Sequence, residues 1–171
     1  MTADWPAYGS LQAATDASDL VITGTPLGSR EDIECPASDT EDPLSPQYGL
    51  DDYQPDCDVA GVPRTIAKVK VTKVIKGTAK VGDILDVTQP SGTDSDGVKA
   101  VEASTVLLKD AQRAGTDEFL LLLLSSDDGT YTPINPASGM LGVGGQQVAA
   151  LSSDGRSATG ATLQAYAEAV D

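Results

Sequence analysis

The sequence predicts a mainly β domain, a small barrel or sandwich of five or six short strands with a helix at each end. Residues 65–72 alternate between apolar and polar side chains, which is typical of a half-buried strand. Residues 119–124 form the longest hydrophobic run, whose length suits a buried strand. The 17 Gly and 10 Pro residues indicate many turns. We assign residues 10–171 to one domain and residues 1–9 to a flexible lead.

The first elements follow from capping and strand signals. Ser10 is a suitable N-cap for a short Ala-rich helix over residues 11–17. Residues 19–25 are apolar and rich in β-branched side chains, which predicts the first strand. We expect this strand to end at Pro26, because proline has no amide hydrogen to donate to a ladder.

The second predicted strand turns its two faces toward different surroundings. One face carries Ala67, Val69 and Val71, and the other carries Lys68, Lys70 and Thr72. Val74 then falls on the formerly polar side, so we expect a β-bulge or a strong bend there. Bends of this kind let strands turn the corners of small barrels.

Local signals predict the remaining elements. The predicted strands are 83–88, a short one at 106–108, 118–125, 130–134 and 147–151; a polar loop covers 91–104, a turn 111–116 and a terminal helix 162–170. Asp128-Gly129 is a hairpin signal. Pro133 places its strand at a sheet edge. Glycines within residues 139–145 permit close backbone approach or tight turning.

Residues 28–61 are predicted to form a long acidic insertion between the first two strands. This segment contains ten carboxylates, and its prolines exclude a continuous helix. Cys35 and Cys57 are the only cysteines, and we predict a disulfide between them, which indicates an oxidising compartment. In the chain-entropy model, closing this loop contributes about 3 kcal/mol. The chain has no His, which argues against a structural zinc site.

Charge and hydropathy limit which compartments and which partners we expect for the protein. The formal net charge of −15 repels a phosphate backbone and an anionic membrane surface, so no nucleic-acid partner is expected. No hydrophobic run reaches the roughly 20 residues of a transmembrane helix. The first ten residues lack the basic and apolar regions of a signal peptide. We therefore expect a secreted or cell-surface protein whose export signal is not in this chain.

Several short stretches together resemble netrin-like domains. They are DLVITG, VIKG followed by GD, and later EFLLLLL before DGTYTPINP. The resemblance spans roughly residues 10–135. The netrin-like group includes the tissue inhibitors of metalloproteinases, and it has bacterial look-alikes. It implies an OB-like five-stranded barrel with terminal helices and an extracellular protein partner. The inhibitors begin with a metal-chelating cysteine, whereas no cysteine precedes Cys35 here, so their inhibitory mechanism is not carried over.

The catalytic motifs that the sequence lacks argue against most enzyme classes. Without His, neither a Ser-His-Asp nor a Cys-His arrangement can form. The chain also has no P-loop and no nucleophile-elbow motif. A hydrolase that uses paired carboxylates stays open as an alternative, although no pattern selects a pair.

Calcium is the only cofactor for which the sequence suggests ligands. Asp51, Asp52, Asp56 and Asp58 lie close together around Cys57, and calcium prefers such oxygen ligands. Their spacing is not that of an EF-hand loop. A solvated acidic loop that binds no cofactor is the favoured interpretation, and a calcium-stabilised structural or adhesive module is the alternative.

The lysines of the second strand suggest a binding surface. Five of the 11 basic residues fall within the 13 positions 68–80. Lys68 and Lys70 either pair with the acidic insertion or contact a partner. The leading hypothesis is a non-enzymatic domain that recognises an extracellular protein or an envelope component.

Overall fold

The computed structural model describes residues 6–35, 43–44, 48–50, 61–93, 99–101, 107–113, 115–136, 139–144 and 147–150. Two helices and nine strands lie within them. The helices are α1 (Leu11–Ala17) and α2 (Leu108–Arg113). The strands are β1 (Leu20–Glu34), β2 (Val62–Lys76), β3 (Ile84–Gln89), β4 (Ser91–Thr93), β5 (Lys99–Val101), β6 (Phe119–Ser125), β7 (Tyr131–Pro133), β8 (Met140–Gly144) and β9 (Gln147–Ala150). The prediction of a mainly β chain is confirmed, and the predicted helix over 162–170 lies outside the described residues.

Seven of these strands form one mixed sheet in the order β1-β2-β3-β7-β6-β8-β9, while β4 and β5 pair separately. All the pairings of the large sheet are antiparallel except that of β3 with β7, which is parallel through Val87 and Tyr131. Strand β1 pairs with β6 as well as with β2. The pairings therefore join β1, β2, β3, β7 and β6 in a closed circuit.

Strand β6 is apolar throughout because both of its faces are buried. Phe119, Leu121 and Leu123 pack in one hydrophobic cluster with alternate residues of β1, β2 and β3. Leu120 and Leu122 pack on the other side with Ala14 of α1 and with β8. The predicted buried strand is confirmed, and β6 is central in the sheet, since it pairs with β1, β7 and β8.

Helix α1 forms as predicted. The Ser10 hydroxyl accepts a hydrogen bond from the Ala13 amide at 3.1 Å, which satisfies an otherwise free donor of the first turn. At the other end, the Lys76 ammonium donates hydrogen bonds to the carbonyl oxygens of Thr15, Asp16 and Ser18. The end of β2 thus closes the end of α1.

The predicted end of β1 at Pro26, and with it the start of the insertion at residue 28, is wrong. Strand β1 continues to Glu34, which pairs with Val62 at the start of β2. A register shift between Pro26 and Gly28 accommodates the proline. Residues 28–34 carry no alternating apolar pattern, and their strand conformation is stabilised instead by pairing with the long strand β2.

The predicted irregularity in β2 is confirmed. Besides the shift next to Pro26, the register between β1 and β2 shifts between Val21 and Ile22 and again between Thr23 and Gly24. As a result Val74 packs on the side of the first core cluster, and Ile75 packs on the side of the second. These shifts let one strand contribute apolar side chains to both clusters.

Four further local predictions are wrong in whole or in part. Residues 108–113, which overlap the predicted short strand (106–108) and the predicted turn (111–116), form α2 instead. Leu108 is fully buried, and its amide donates a hydrogen bond to the buried Gln89 side chain. The loop over 91–104 contains β4 and β5. Strand β7 is not an edge strand: Pro133 pairs with Leu123 of β6, and Tyr131 supplies the bridge to β3.

Candidate functional site

The predicted lysines lie on one solvent-facing surface of the first three strands. We use the name β1–β3 face for the part of this surface formed by Gly28, Arg30, Ile66, Lys68, Lys70, Ile84 and Asp86. The strand register places these residues side by side, and the Asp32–Arg64 pair follows them on the same side. Ala67, Val69 and Val71 are buried on the opposite side of β2, and Lys68 and Lys70 are exposed. The predicted division of β2 into an apolar and a basic side is confirmed.

Asp86 lies between two cations of this face. Its Oδ1 accepts a hydrogen bond from Lys68 Nζ at 2.9 Å, and its Oδ2 accepts one from Arg30 Nη1 at 3.3 Å. The hydrogen bond from Lys68 is the main reason why the pKa of Asp86 is lowered, and Arg30 lowers it further. The ion-pair partner of Lys68 is thus a carboxylate of β3, while most of the acidic insertion lies outside the described residues.

Lys70 is the less constrained of the two predicted lysines. It lies opposite Ile84 in the register of β2 and β3. Its side chain is exposed and makes no ion pair with another described residue. The Ile84 side chain is 56 % exposed, and Val81 in the preceding turn is 68 % exposed. This end of the β1–β3 face therefore combines a free cation with accessible apolar surface.

A shallow cleft opens at the other end of the face. Gly28, Ser29, Arg30, Ile66 and Lys68 line it, and its volume is about 210 Å³. Ile66 lines the cleft beside the two cations, although most of its side chain is buried. A Cβ atom added at Gly28 would meet no atom within 4 Å, because the space above this residue is open.

Arg64 connects the far end of the β1–β2 pair to the β6–β7 turn. Its guanidinium lies 3.0 Å from Asp32, 3.5 Å from Glu34 and 3.4 Å from Asp128. Burial alone would lower the pKa of Arg64, but the hydrogen bond and charge of Asp32 and the charge of Glu34 raise it overall. Arg64 therefore neutralises part of a carboxylate cluster and joins the end of β1 to the β6–β7 turn.

A second cleft, with a volume of about 120 Å³, lies between β1 and α2. Glu31 and Asp110 are among its lining residues, and Glu31 lies 3.8 Å from Lys109. The Thr65 and Ser91 hydroxyls also line it, and the Ser91 hydroxyl donates to that of Thr65 at 3.0 Å. The two hydroxyls are therefore hydrogen-bonded to each other, and Glu31 forms an ion pair with Lys109.

The other predicted site residues lie largely outside the described part of the chain. Asp51, Asp52, Asp56 and Asp58, the proposed calcium ligands, lie outside it, and so does Cys57. Cys35 directly follows β1. Because its predicted partner Cys57 is outside the described residues, the Cys35–Cys57 disulfide stays a prediction. Within the described ranges, no group of three or more acidic or cysteine side chains is arranged to hold a metal ion.

The sequence reasoning missed Arg30 and Asp86 as parts of the site. The predicted bounds of the insertion, residues 28–61, include Arg30, which belongs instead to the extended β1. Asp86 lies between Leu85 and Val87, which pack in the core, and this alternation could have placed it on the solvent side beside the lysines. Its partners depend on strand register, which no local pattern specified.

A scan against protein-family models finds no match for this chain, and a search of curated proteins finds no significant relative. Over the residues that the structure describes, neither helix has the length and apolar character needed to cross a membrane.

Proposed function

We propose that this chain is a non-enzymatic domain, secreted or at the cell surface, that binds an extracellular protein or an envelope component through the β1–β3 face. The observation that carries the proposal is the charge of this face. It bears three cations, Arg30, Lys68 and Lys70, and one carboxylate, Asp86, in a chain whose net charge is −15. A local basic surface on a strongly acidic protein favours approach of an acidic partner in one orientation.

The pairing of the strands supports an OB-like barrel as the scaffold. In such a barrel five strands close on themselves, and ligands bind across the face of the second and third strands and the adjoining loops. The circuit of β1, β2, β3, β7 and β6, with α2 between β3 and β6, is consistent with this arrangement. The β1–β3 face then occupies the surface that OB-type domains use for binding.

The netrin-like resemblance remains part of the proposal. The stretch VIKG that contributes to it ends β2, and its lysine and glycine both contact the α1–β1 junction. The stretch DLVITG begins β1, which pairs with both β2 and β6. These stretches have structural roles, so they support a shared scaffold rather than a shared activity.

Charge reversal at Lys70 tests the proposed function. A partner cross-linked to the protein in culture medium would be identified, purified and titrated against wild-type protein, Lys70→Glu and Lys80→Glu. Lys80 is also exposed but lies outside the β1–β3 face. We expect Lys70→Glu to weaken binding about tenfold or more with unchanged melting temperature, and Lys80→Glu to bind like the wild type. Equal binding by the two variants would overturn the proposal.

A further inference from the structure

We infer that the β1–β3 face recognises an extended peptide segment in which an aliphatic side chain is followed, in either chain direction, by two acidic side chains at alternate positions. This inference rests on the proposed function and names the chemistry of the partner. The aliphatic side chain occupies the cleft beside Ile66, the first carboxylate lies between Arg30 and Lys68, and the second meets Lys70.

Arg30 and Lys68 each have hydrogen-bond donors that Asp86 does not use. A lysine ammonium has three donors and a guanidinium has five, and each donates one hydrogen bond to Asp86. The side chains of Arg30 and Lys68 are 54 % and 55 % exposed, so their other donors face solvent. Asp86 holds the two cations close together on adjacent strands. A partner carboxylate can then accept one charge-assisted hydrogen bond from each of them.

The spacing along β2 suits an extended partner. Lys68 and Lys70 are two residues apart on one side of the strand, which separates their Cα atoms by about 6.7 Å. Carboxylates at alternate positions of an extended peptide have the same separation. Ile66 lies two residues before Lys68 on the same side, so the peptide position two residues from the first carboxylate, on the side away from the second, faces the cleft.

The cleft is suited to an aliphatic side chain. Its volume of about 210 Å³ is bounded by Ile66, Gly28 and the stems of the two cations. Gly28 leaves the cleft open, and its backbone lies outside the left-handed region that favours glycine, so a larger side chain there fills the space without backbone strain. Gly28→Leu is therefore a variant that blocks the cleft while keeping every charge.

The test is an NMR titration of the full chain with acetyl-Gly-Leu-Ser-Glu-Ser-Glu-Gly-amide at low ionic strength. Comparison peptides replace both Glu by Gln, or Leu by Ala. We expect shift changes at residues 28–30, 66–70 and 84–86, about tenfold weaker binding of the Gln peptide, and weaker binding of the Ala peptide. In Gly28→Leu the Leu and Ala peptides should bind alike. Gly144→Leu, also at an open glycine, should retain the preference for Leu.

Other outcomes overturn the inference. Equal binding of the Gln peptide, or shifts away from the β1–β3 face, excludes an acidic segment. Inorganic phosphate that binds at the same residues as tightly as the peptide indicates a general anion site. If these results occur while the purified partner still depends on Lys70, only the peptide chemistry is wrong. If the partner does not depend on Lys70, the proposed function fails as well.

Discussion

Lys76 Nζ donates a 2.6 Å hydrogen bond to the carbonyl oxygen of Ser18, which closes the C-terminal end of α1 from the last residue of β2. The same ammonium donates at 3.0 Å to the carbonyls of Thr15 and Asp16. Cations stabilise helix C-termini because the last carbonyls are unpaired and carry partial negative charge. This one side chain therefore joins the helix to the sheet.

Replacing Lys76 by Met should destabilise the protein. The apolar stem is kept, while the ammonium and its three hydrogen bonds are lost, so we expect a loss of about 1–3 kcal/mol. Lys73→Met is the matched control, because Lys73 is exposed and its side chain pairs with no other described residue; its effect should stay within about 0.5 kcal/mol. Denaturant unfolding measures both. Equal losses would contradict a specific role for Lys76.

Gly77 should tolerate alanine less well than Gly129 does. Both glycines have positive φ, 98° and 81°, where a Cβ atom is strained. At Gly77 the added Cβ would also lie 2.8 Å from Leu20 Cδ1 and 2.9 Å from the Asp19 carbonyl oxygen, whereas at Gly129 it meets no atom within 4 Å. We expect Gly129→Ala to lower the free energy of unfolding by about 1–2 kcal/mol and Gly77→Ala by more. Thermal unfolding tests this order, which similar losses would contradict.

Gln89 should be required for stability although it is neutral. Its buried side chain accepts a hydrogen bond from the Leu108 amide at 3.0 Å and contacts Met140 Sδ at 3.3 Å. Gln89→Met keeps the volume but leaves the amide without this acceptor, so we expect a loss of about 1–3 kcal/mol. Gln12→Met on the exposed side of α1 is the control and should cost about 0.5 kcal/mol or less. Comparable denaturation midpoints for the two variants would show that the buried hydrogen bond is unimportant.

The pKa values of Asp86 and Asp19 are both lowered, and removal of the Lys68 charge should change only that of Asp86. Lys68 lowers the pKa of Asp86, whereas hydrogen bonds from the Ser125 amide and hydroxyl are the main cause at Asp19. Lys68→Met should therefore raise the pKa of Asp86 toward 3.8 and leave that of Asp19 unchanged. Carboxyl-carbon NMR titration measures both groups. An unchanged Asp86 titration would argue against the Lys68–Asp86 contact in solution.

The same shifts specify a pH dependence of stability. A folded pKa below the unfolded value adds stability that is fully present above the unfolded value and is lost as pH falls through the folded one. Near neutral pH the free energy of unfolding should therefore not depend on pH through these carboxylates. Their contribution to stability should begin to be lost below about pH 4.

Much of the β framework could be predicted because its signals are local. The Ser10 cap, the alternation around Lys68 and the apolar run of β6 each specify an element by themselves. The second half of β1 and helix α2 could not be predicted in this way. Pairing with β2 stabilises the first, and burial of Leu108 against the core stabilises the second, so both depend on tertiary contacts.

The candidate site was predictable only in part. The exposed lysines follow from the two-residue period of β2. The positions of Arg30 and Asp86 relative to Lys68 depend on the registers of β1 and β3 with β2, including the shift next to Pro26. A register shift of one residue would place Asp86 on the opposite side of the sheet. The local sequence does not specify this register.

Photo-cross-linking from position 70 tests the central claim, that the β1–β3 face is the binding surface. Benzoylphenylalanine would replace Lys70 in one variant and Gln12, an exposed residue of α1, in another. Each variant would be irradiated with the purified partner, and the products would be identified by mass spectrometry. We predict a covalent complex from position 70 and none from position 12. A complex that forms only from position 12, or equally from both positions, would contradict the claim.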